Sequence, residues 1–216
     1  MPTRRAATRA SSRRGSPAPS RDRPATRERL SNEERREQLA RAGKELFLER
    51  PYDQVSMDDV AQRAGVSKAL VFHYFSTKRD LYVEVVRRAA DDLLQATLVA
   101  PSEDPLERLT TGLHRYLDFV EQNAPAYTAL LTGGVGVDPE IYALVEQVRR
   151  TLAERILEGL PSPDANAPLP SPRAATIAVK GFIGFVEASS LAWLDQKTPR
   201  DSIVALWIQI LMSALS

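Results

Sequence analysis

"VSMDDVAQRAGVSKALVFHYF", residues 55–75, contains two helix starts and one helix stop. Ser56 followed by Asp59 has capping-box spacing. The serine oxygen can accept from the amide three residues on, and the acid can reach back to the serine amide. A helix is therefore expected from about Met57 to Ala64. Gly65 suits the left-handed conformation that stops a helix abruptly. Ser67 can cap a new helix running through Phe75. Two short helices joined by a tight glycine-containing turn make a helix-turn-helix, here about 56–75. Ala61 is small enough to let the second helix approach, and Val60, Val66, Leu70 and Val71 would fill the space between. Phe72, His73, Tyr74 and Phe75 cannot all face one core, because helical neighbours point about 100° apart. Some of these rings must face outward.

Helical signals continue on both sides. Upstream, Ser31 and Glu34 form another capping box, and Leu39, Ala42, Leu46 and Phe47 follow on one face before Pro51. Downstream, Thr77 and Asp80 make a third box, opening a long helix to about Leu98. After a break at Pro101–Pro105 come "LERLTTGLHRYLDFVEQN", a short helix in "APAYTALLTGGVGVDP" and the amphipathic "EIYALVEQVRRTLAERILEGL". A proline-rich loop at 161–172 precedes "RAATIAVKGFIGFVEASSLAWLDQ" and "RDSIVALWIQILMSAL". No strand-like alternation survives, so an all-α fold of about nine helices is expected.

The chain has 216 residues, 43% of them hydrophobic, enough for one or two packed domains. It has no cysteine, which excludes disulfides and thiol nucleophiles, and only His73 and His114 as histidines. No metal or organic cofactor is expected. No uncharged apolar run approaches the roughly 18 residues of a membrane span, so no membrane partner is expected. The net charge of +1 is unevenly placed. Residues 1–30 hold nine arginines against Asp22 and Glu28, residues 31–83 balance nine basic with nine acidic residues, and 84–216 are acidic. A polyanion partner at one end is implied. Residues 1–30 read as a disordered arm, and tracking DNA, being a solvated tail, or serving as an organelle transit peptide all fit its composition. A helical enzyme lacks support, because no nucleophile sits beside a base and no glycine-rich phosphate loop exists. A helical protein-binding adaptor stays open and would be separated by a gel shift.

The pattern "AGKELFLER…YDQVSMDDVAQRAGVSKALVFHYFSTKRDLY" resembles the DNA-binding module of the TetR family of bacterial transcriptional regulators, over roughly residues 33–93. The resemblance implies a DNA-binding domain at 31–83, then a helical effector-binding and dimerisation domain at 84–216. A recognition helix presents its N-terminal residues to base edges in the major groove. Here these are Ser67, Lys68 and Ala69. Lys68 can donate to guanine or to phosphate, and Ala69 can touch a thymine methyl. The resemblance further implies that His73, Tyr74 and Lys78 grip phosphate, while Phe75 turns inward. Capping amides near Ser56 and Met57 would aim a positive helix end at the DNA backbone. Two departures stand out. Phe72 occupies a position where many relatives have tyrosine, and Ala69–Leu70 replaces a frequent Gly-Thr.

In the C-terminal half, Tyr116, Phe119, Tyr127, Tyr142, Phe182 and Phe185 either line an apolar effector pocket or simply fill the core. Lys180 and Glu187 interrupt an apolar helix near Gly181, Gly184 and Ala188. Buried charge needs a partner, so the pair is expected across a two-fold axis, with a pocket or plain exposure as alternatives. In the last helix Ile203, Leu206, Trp207, Ile210 and Leu211 form an inner face. Val204, Ile208 and Met212 form an outer one that would meet a second copy, the alternative being a final helix wholly inside a monomer core. The overall expectation is a homodimeric repressor on a palindromic double-stranded operator, released by a small apolar or aromatic ligand. An activator, or a regulator sensing no small molecule, is the alternative. The expected location is cytoplasmic, at the nucleoid.

Overall fold

The computed structural model describes residues 30–100, 104–133, 138–159, 171–196 and 198–215. The Arg-rich arm and most of the proline-rich loop lie outside them. Among the described residues there are nine α-helices, one 3₁₀ turn and no strand. The helices are α1 (Asn32–Glu49), α2 (Met57–Ala64), α3 (Lys68–Tyr74), α4 (Lys78–Ala96), α5 (Pro105–Gln122), α6 (Ala124–Gly133), α7 (Pro139–Gly159), α8 (Pro172–Gln196) and α9 (Arg200–Ala214).

All three expected capping boxes are formed, at Ser31–Glu34, Ser56–Asp59 and Thr77–Asp80. Gly65 ends α2 with φ 66°, where a side chain would be strained. The 3₁₀ turn at Tyr52–Gln54 was not anticipated. It follows Pro51 and seats Tyr52 against Phe47 and Tyr82, with ring centroids 5.9 and 4.8 Å away.

The buried apolar side chains fall into three clusters. Leu39, Leu46, Val60, Val71, Phe75 and Leu81 anchor the first, beneath the helix-turn-helix. Leu117, Val120, Val179, Trp207 and Leu211 anchor the largest, among α5–α9. Val83, Val86 and Ile141 form a small third between α4 and α7. Helix α4 supplies residues to all three: Leu81 and Val85, then Val83 and Val86, then Leu93. The domain boundary expected at residue 83 thus falls inside a continuous helix.

Charges join the two ends. Glu84 is buried, and its carboxylate accepts from Arg36 at 3.1 Å, Arg87 at 3.0 Å and Arg88 at 2.9 Å. Burial raises the Glu84 pKa, but the hydrogen bonds from Arg36 and Arg88 outweigh it and hold the carboxyl below its ordinary range. Arg79, in the first turn of α4, makes a fork to Asp138 at 2.6 and 2.7 Å. Asp138 also accepts from the Glu140 and Ile141 amides, so it caps α7 as well.

Helix α8 is long and apolar enough to cross a membrane by length and composition alone, with a mean hydropathy of 1.4 over its most apolar window. It nevertheless carries Lys180 and Glu187, and it buries Val179, Phe182, Ile183, Val186 and Trp193 against its neighbours. These residues form the face it turns to the bundle, while Ile177 and Phe185 lie at the surface.

Candidate nucleic-acid interface

Anchoring from below determines which side of α3 is free. Val71 and Phe75 are sealed in the first cluster, at 0% and 1% exposure. Helical geometry then turns Ser67, Lys68, Ala69, Phe72 and His73 to the surface, and all five are exposed. Leu70 is only half-buried and Val66 packs at the cluster's edge, so Val60 and Val71 do most of the filling between α2 and α3. Among the four consecutive rings, Phe72 and His73 face out and Phe75 faces in. Tyr74 sits between: its ring packs partly on the core and its hydroxyl donates to Asn32 Oδ1 at 3.0 Å. Phe72 had no assigned place in the sequence reading. Its spacing from Lys68 (i, i+4) and Ala69 (i, i+3) was the available signal.

The basic groups at this surface are held by neighbours. Lys68 Nζ lies 2.6 Å from Asp58 Oδ2, across the gap between α3 and α2. Lys78 Nζ donates to the Tyr52 carbonyl at 2.9 Å and sits 4.3 Å from the Tyr52 ring centroid. Arg36 covers the Phe75 ring at 4.6 Å. At the start of α2, the Ser56 hydroxyl and amide both donate to Asp59, at 2.7 and 2.8 Å. These bonds, the hydroxyl's first, keep the Asp59 carboxyl below its usual range. The Met57 side chain is buried, so only its backbone can serve a ligand.

The C-terminal candidates divide. Tyr116 and Tyr127 are buried side by side and their hydroxyls hydrogen-bond to each other. Burial pushes the Tyr116 phenol up to about 12 and Tyr127 higher still. Phe182 is buried and Phe119 partly buried in the same cluster, but Tyr142 and Phe185 lie at the surface. A cleft of about 140 Å³ is lined by Phe119 with Ala96, Arg115, Asp118 and Gln122. Another, of about 470 Å³, is lined by Pro172, Arg173, Thr176 and Ile177. Neither is lined by the buried tyrosines.

On the expected dimer seam the structure differs at two places. Glu187 is engaged within the chain, accepting from the Arg149 fork at 2.7, 3.0 and 3.1 Å. Arg149 on α7 thus supplies a planar fork to Glu187 within the chain. Val204 turns inward with Ile203, Trp207 and Leu211, and Ile208 packs half-buried beside them, whereas Leu206 and Met212 are exposed. The outer face of α9 is thus rotated from the expected one. On α8, Lys180, Gly181, Gly184, Phe185 and Ala188 are exposed together. A Cβ placed on Gly181 or Gly184 would meet nothing within 4 Å.

Comparison with known proteins agrees with this architecture. Residues 39–85 match the family model described as bacterial regulatory proteins, tetR family. Residues 105–214 match the model described as tetracyclin repressor-like, C-terminal domain. The HTH-type transcriptional activator FasR of Mycolicibacterium smegmatis is 32% identical over 192 residues, covering 87% of this chain and 86% of that protein. The negative transcriptional regulator of a biofilm operon, IcaR of Staphylococcus aureus, is 23% identical over 114 residues, covering 51% and 61%. A crystal structure of a tetR-family transcriptional regulator from Streptomyces coelicolor superposes with a TM-score of 0.72 at 33% identity, covering 86% of this chain and 80% of that one.

Proposed function

The chain belongs to the TetR family of bacterial transcriptional regulators, and on that premise we propose that it acts as a homodimer on a palindromic operator, with α3 in the major groove. It is a DNA-binding regulator and not an enzyme. One observation carries the groove assignment. The N-terminal half of α3 is open to solvent, while Val71 and Phe75 fix its opposite side in the core. In this reading Lys68 donates to a guanine edge or a phosphate, and Ala69 meets a thymine methyl. His73, Tyr74, Lys78 and the amides at Ser56 and Met57 hold the backbone, that of Ser56 by giving up Asp59, and Ser67 stands beside Lys68 at the base edges. Tyr74 must exchange Asn32, and Lys78 the Tyr52 carbonyl, for phosphate oxygens. Because residues 31–83 are charge-balanced, the Arg-rich arm would supply counterion release.

The second copy would dock on the exposed stripe of α8 (Lys180, Gly184, Ala188) and on Leu206 and Met212 of α9. The supporting observation is that, among the described residues, nothing requires Gly181 or Gly184 to be small. A two-fold axis there would set the recognition helices about 34–36 Å apart. An apolar or aromatic effector would enter between α5, α6 and α8, where the Tyr116–Tyr127 pair offers a polar contact in an apolar interior. The packed tyrosines would have to part to admit it, which would couple binding to movement. Release from a repressed promoter is the reading for the sign of regulation. The 32% identical relative named as an activator favours activation as a second reading. Cytoplasmic residence at the nucleoid follows from this assignment.

The test is fluorescence anisotropy with the DNA upstream of the protein's own gene, across a salt range. Saturable binding that prefers this DNA over a random duplex is expected. Lys68→Ala should cost about 1–3 kcal/mol if Lys68 reaches a base. Equal affinity for both duplexes would overturn the operator reading.

A further inference from the structure

We propose that Asp58 sets sequence discrimination by acting as an internal substitute for phosphate, holding Lys68 in a pair that a base edge leaves in place and a DNA phosphate breaks. The proposal rests on the reading of α3 as the recognition helix.

The carboxylates that bind cations in this module have different uses. Glu45 and Glu49 on α1 hold Arg63 of α2 at 3.1 and 2.7 Å, tying two helices together. Asp138 ties Arg79 to α7. Asp59 closes the cap of α2. Asp58 spans α2 and α3 through Lys68, and it neither caps a helix nor ties the module to α7. The capping box beside it is completed by Asp59, and α2 and α3 are already joined through Val60, Ala61 and Val71. Among the described residues it pairs with Lys68, at 2.6 Å. Both side chains are more than half exposed, at 64% and 54%. A pair so exposed contributes little to folding, and it sits on the surface that would face DNA.

The consequence is a competition. On an arbitrary duplex, Lys68 gains a phosphate but gives up Asp58, one carboxylate for another anion, and Asp58 is left facing the DNA backbone. On the correct sequence, Lys68 reaches guanine O6 and N7, neutral acceptors that do not repel the carboxylate, so an ammonium with three donors reads the base and keeps Asp58. The carboxylate therefore penalises the wrong complexes more than the right one, which is how specificity is gained by discouraging alternatives.

The experiment compares wild type, Asp58→Asn, Lys68→Ala and the double variant on two duplexes: an operator recovered by in vitro selection from a random pool, and a scrambled control. Asp58→Asn should tighten scrambled-duplex binding about two- to five-fold, the scale of an exposed ion pair, with a smaller gain on the operator. Its salt slope on the scrambled duplex should steepen by about 0.9, one further counterion. In the Lys68→Ala background the gain should vanish. An equal gain with or without Lys68 would mean that Asp58 merely repels DNA, and would overturn the proposal. So would an unchanged scrambled-duplex affinity. A folded wild-type chain that selects no operator from the pool would overturn the reading of α3 itself, and the proposal with it. The circular dichroism melt of Asp58→Asn should match wild type, which separates these outcomes from loss of structure.

Discussion

The helix-turn-helix module and the α5–α9 bundle are both helical, yet they are specified and finished in different ways. In the module each of α1, α2 and α4 starts at a capping box and the core beneath α3 is apolar, its charges pairing at the surface except for Glu84 at the edge. In the bundle the polar pairing reaches inside. Tyr116 meets Tyr127, Ser190 is fully buried and donates to the Val186 carbonyl, and Arg149 grips Glu187. A protein that reads DNA needs a rigid base and an adaptable surface. One that answers to a second signal needs an interior with more than one way to satisfy its polar groups. The contrast also appears in titration. The carboxylates held low (Glu84, Asp59, Asp138) belong to the module and its junction with α7, and the highest phenols (Tyr116, Tyr127) to the bundle.

The largest effect expected of breaking this contrast comes from the module's base. Phe75→Ala removes a ring at 1% exposure and should cost about 3–5 kcal/mol in urea unfolding. Operator binding should fall with it, because Phe75 fixes the direction of the rings beside it. Glu84→Ala comes next. It strands three arginines that keep partial access to water, and the expected cost is about 2 kcal/mol. A depressed folded pKa contributes stability above the unfolded value, about 4.3, and that contribution is lost as pH falls through the folded pKa. Wild type should therefore lose stability below about pH 4.3 more steeply than Glu84→Ala. Parallel acid limbs would show that the cluster does not carry it.

Tyr127→Phe should cost about 1 kcal/mol at neutral pH. The signature lies at the other end of the scale. A raised pKa contributes stability fully below the unfolded value of about 10, and this is lost as pH rises through the folded pKa. Tyr116 is pushed up to about 12. Wild type should thus weaken above about pH 10, and Tyr127→Phe should weaken less steeply. The smallest effect is at the junction. Arg79→Ala should leave the urea midpoint nearly unchanged but speed hydrogen exchange at the Glu140 and Ile141 amides. Asp138, which caps them, loses the fork that orients it. Unaltered exchange would mean that Asp138 needs no help from α4.

How far the fold could be read in advance follows the same division. Local signals located α1–α4 to within a few residues, because a capping box acts over three positions and needs no distant partner. The Tyr52–Gln54 turn escaped because its cause is tertiary: Tyr52 is placed by Phe47 and Tyr82. The bundle's helices were legible from apolar spacing, but their rotation was not. Helix α9 is apolar nearly all round, so its sequence could not say whether Val204 or Leu206 faces inward. Glu187 was correctly judged to need a partner, but the partner lay on α7, and no spacing rule connects 149 with 187. On the surface reader, Lys68 was visible as a donor, whereas Asp58 passed as an ordinary first-turn acid. The contact between them exists only once α2 and α3 are folded against each other.

Helix α4 carries a further consequence for how the molecule comes apart. One continuous rod gives Leu81 and Val85 to one cluster, Val83 and Val86 to another, and Leu93 to the third. No cluster can be emptied without fraying the helix that the others need. The reader and the bundle are therefore one cooperative unit, and heat or denaturant should unfold them in a single transition. A fragment cut after residue 83 would keep the whole helix-turn-helix yet lose most of the rod that closes its core. A fragment that keeps every buried residue of that core must run past Val85.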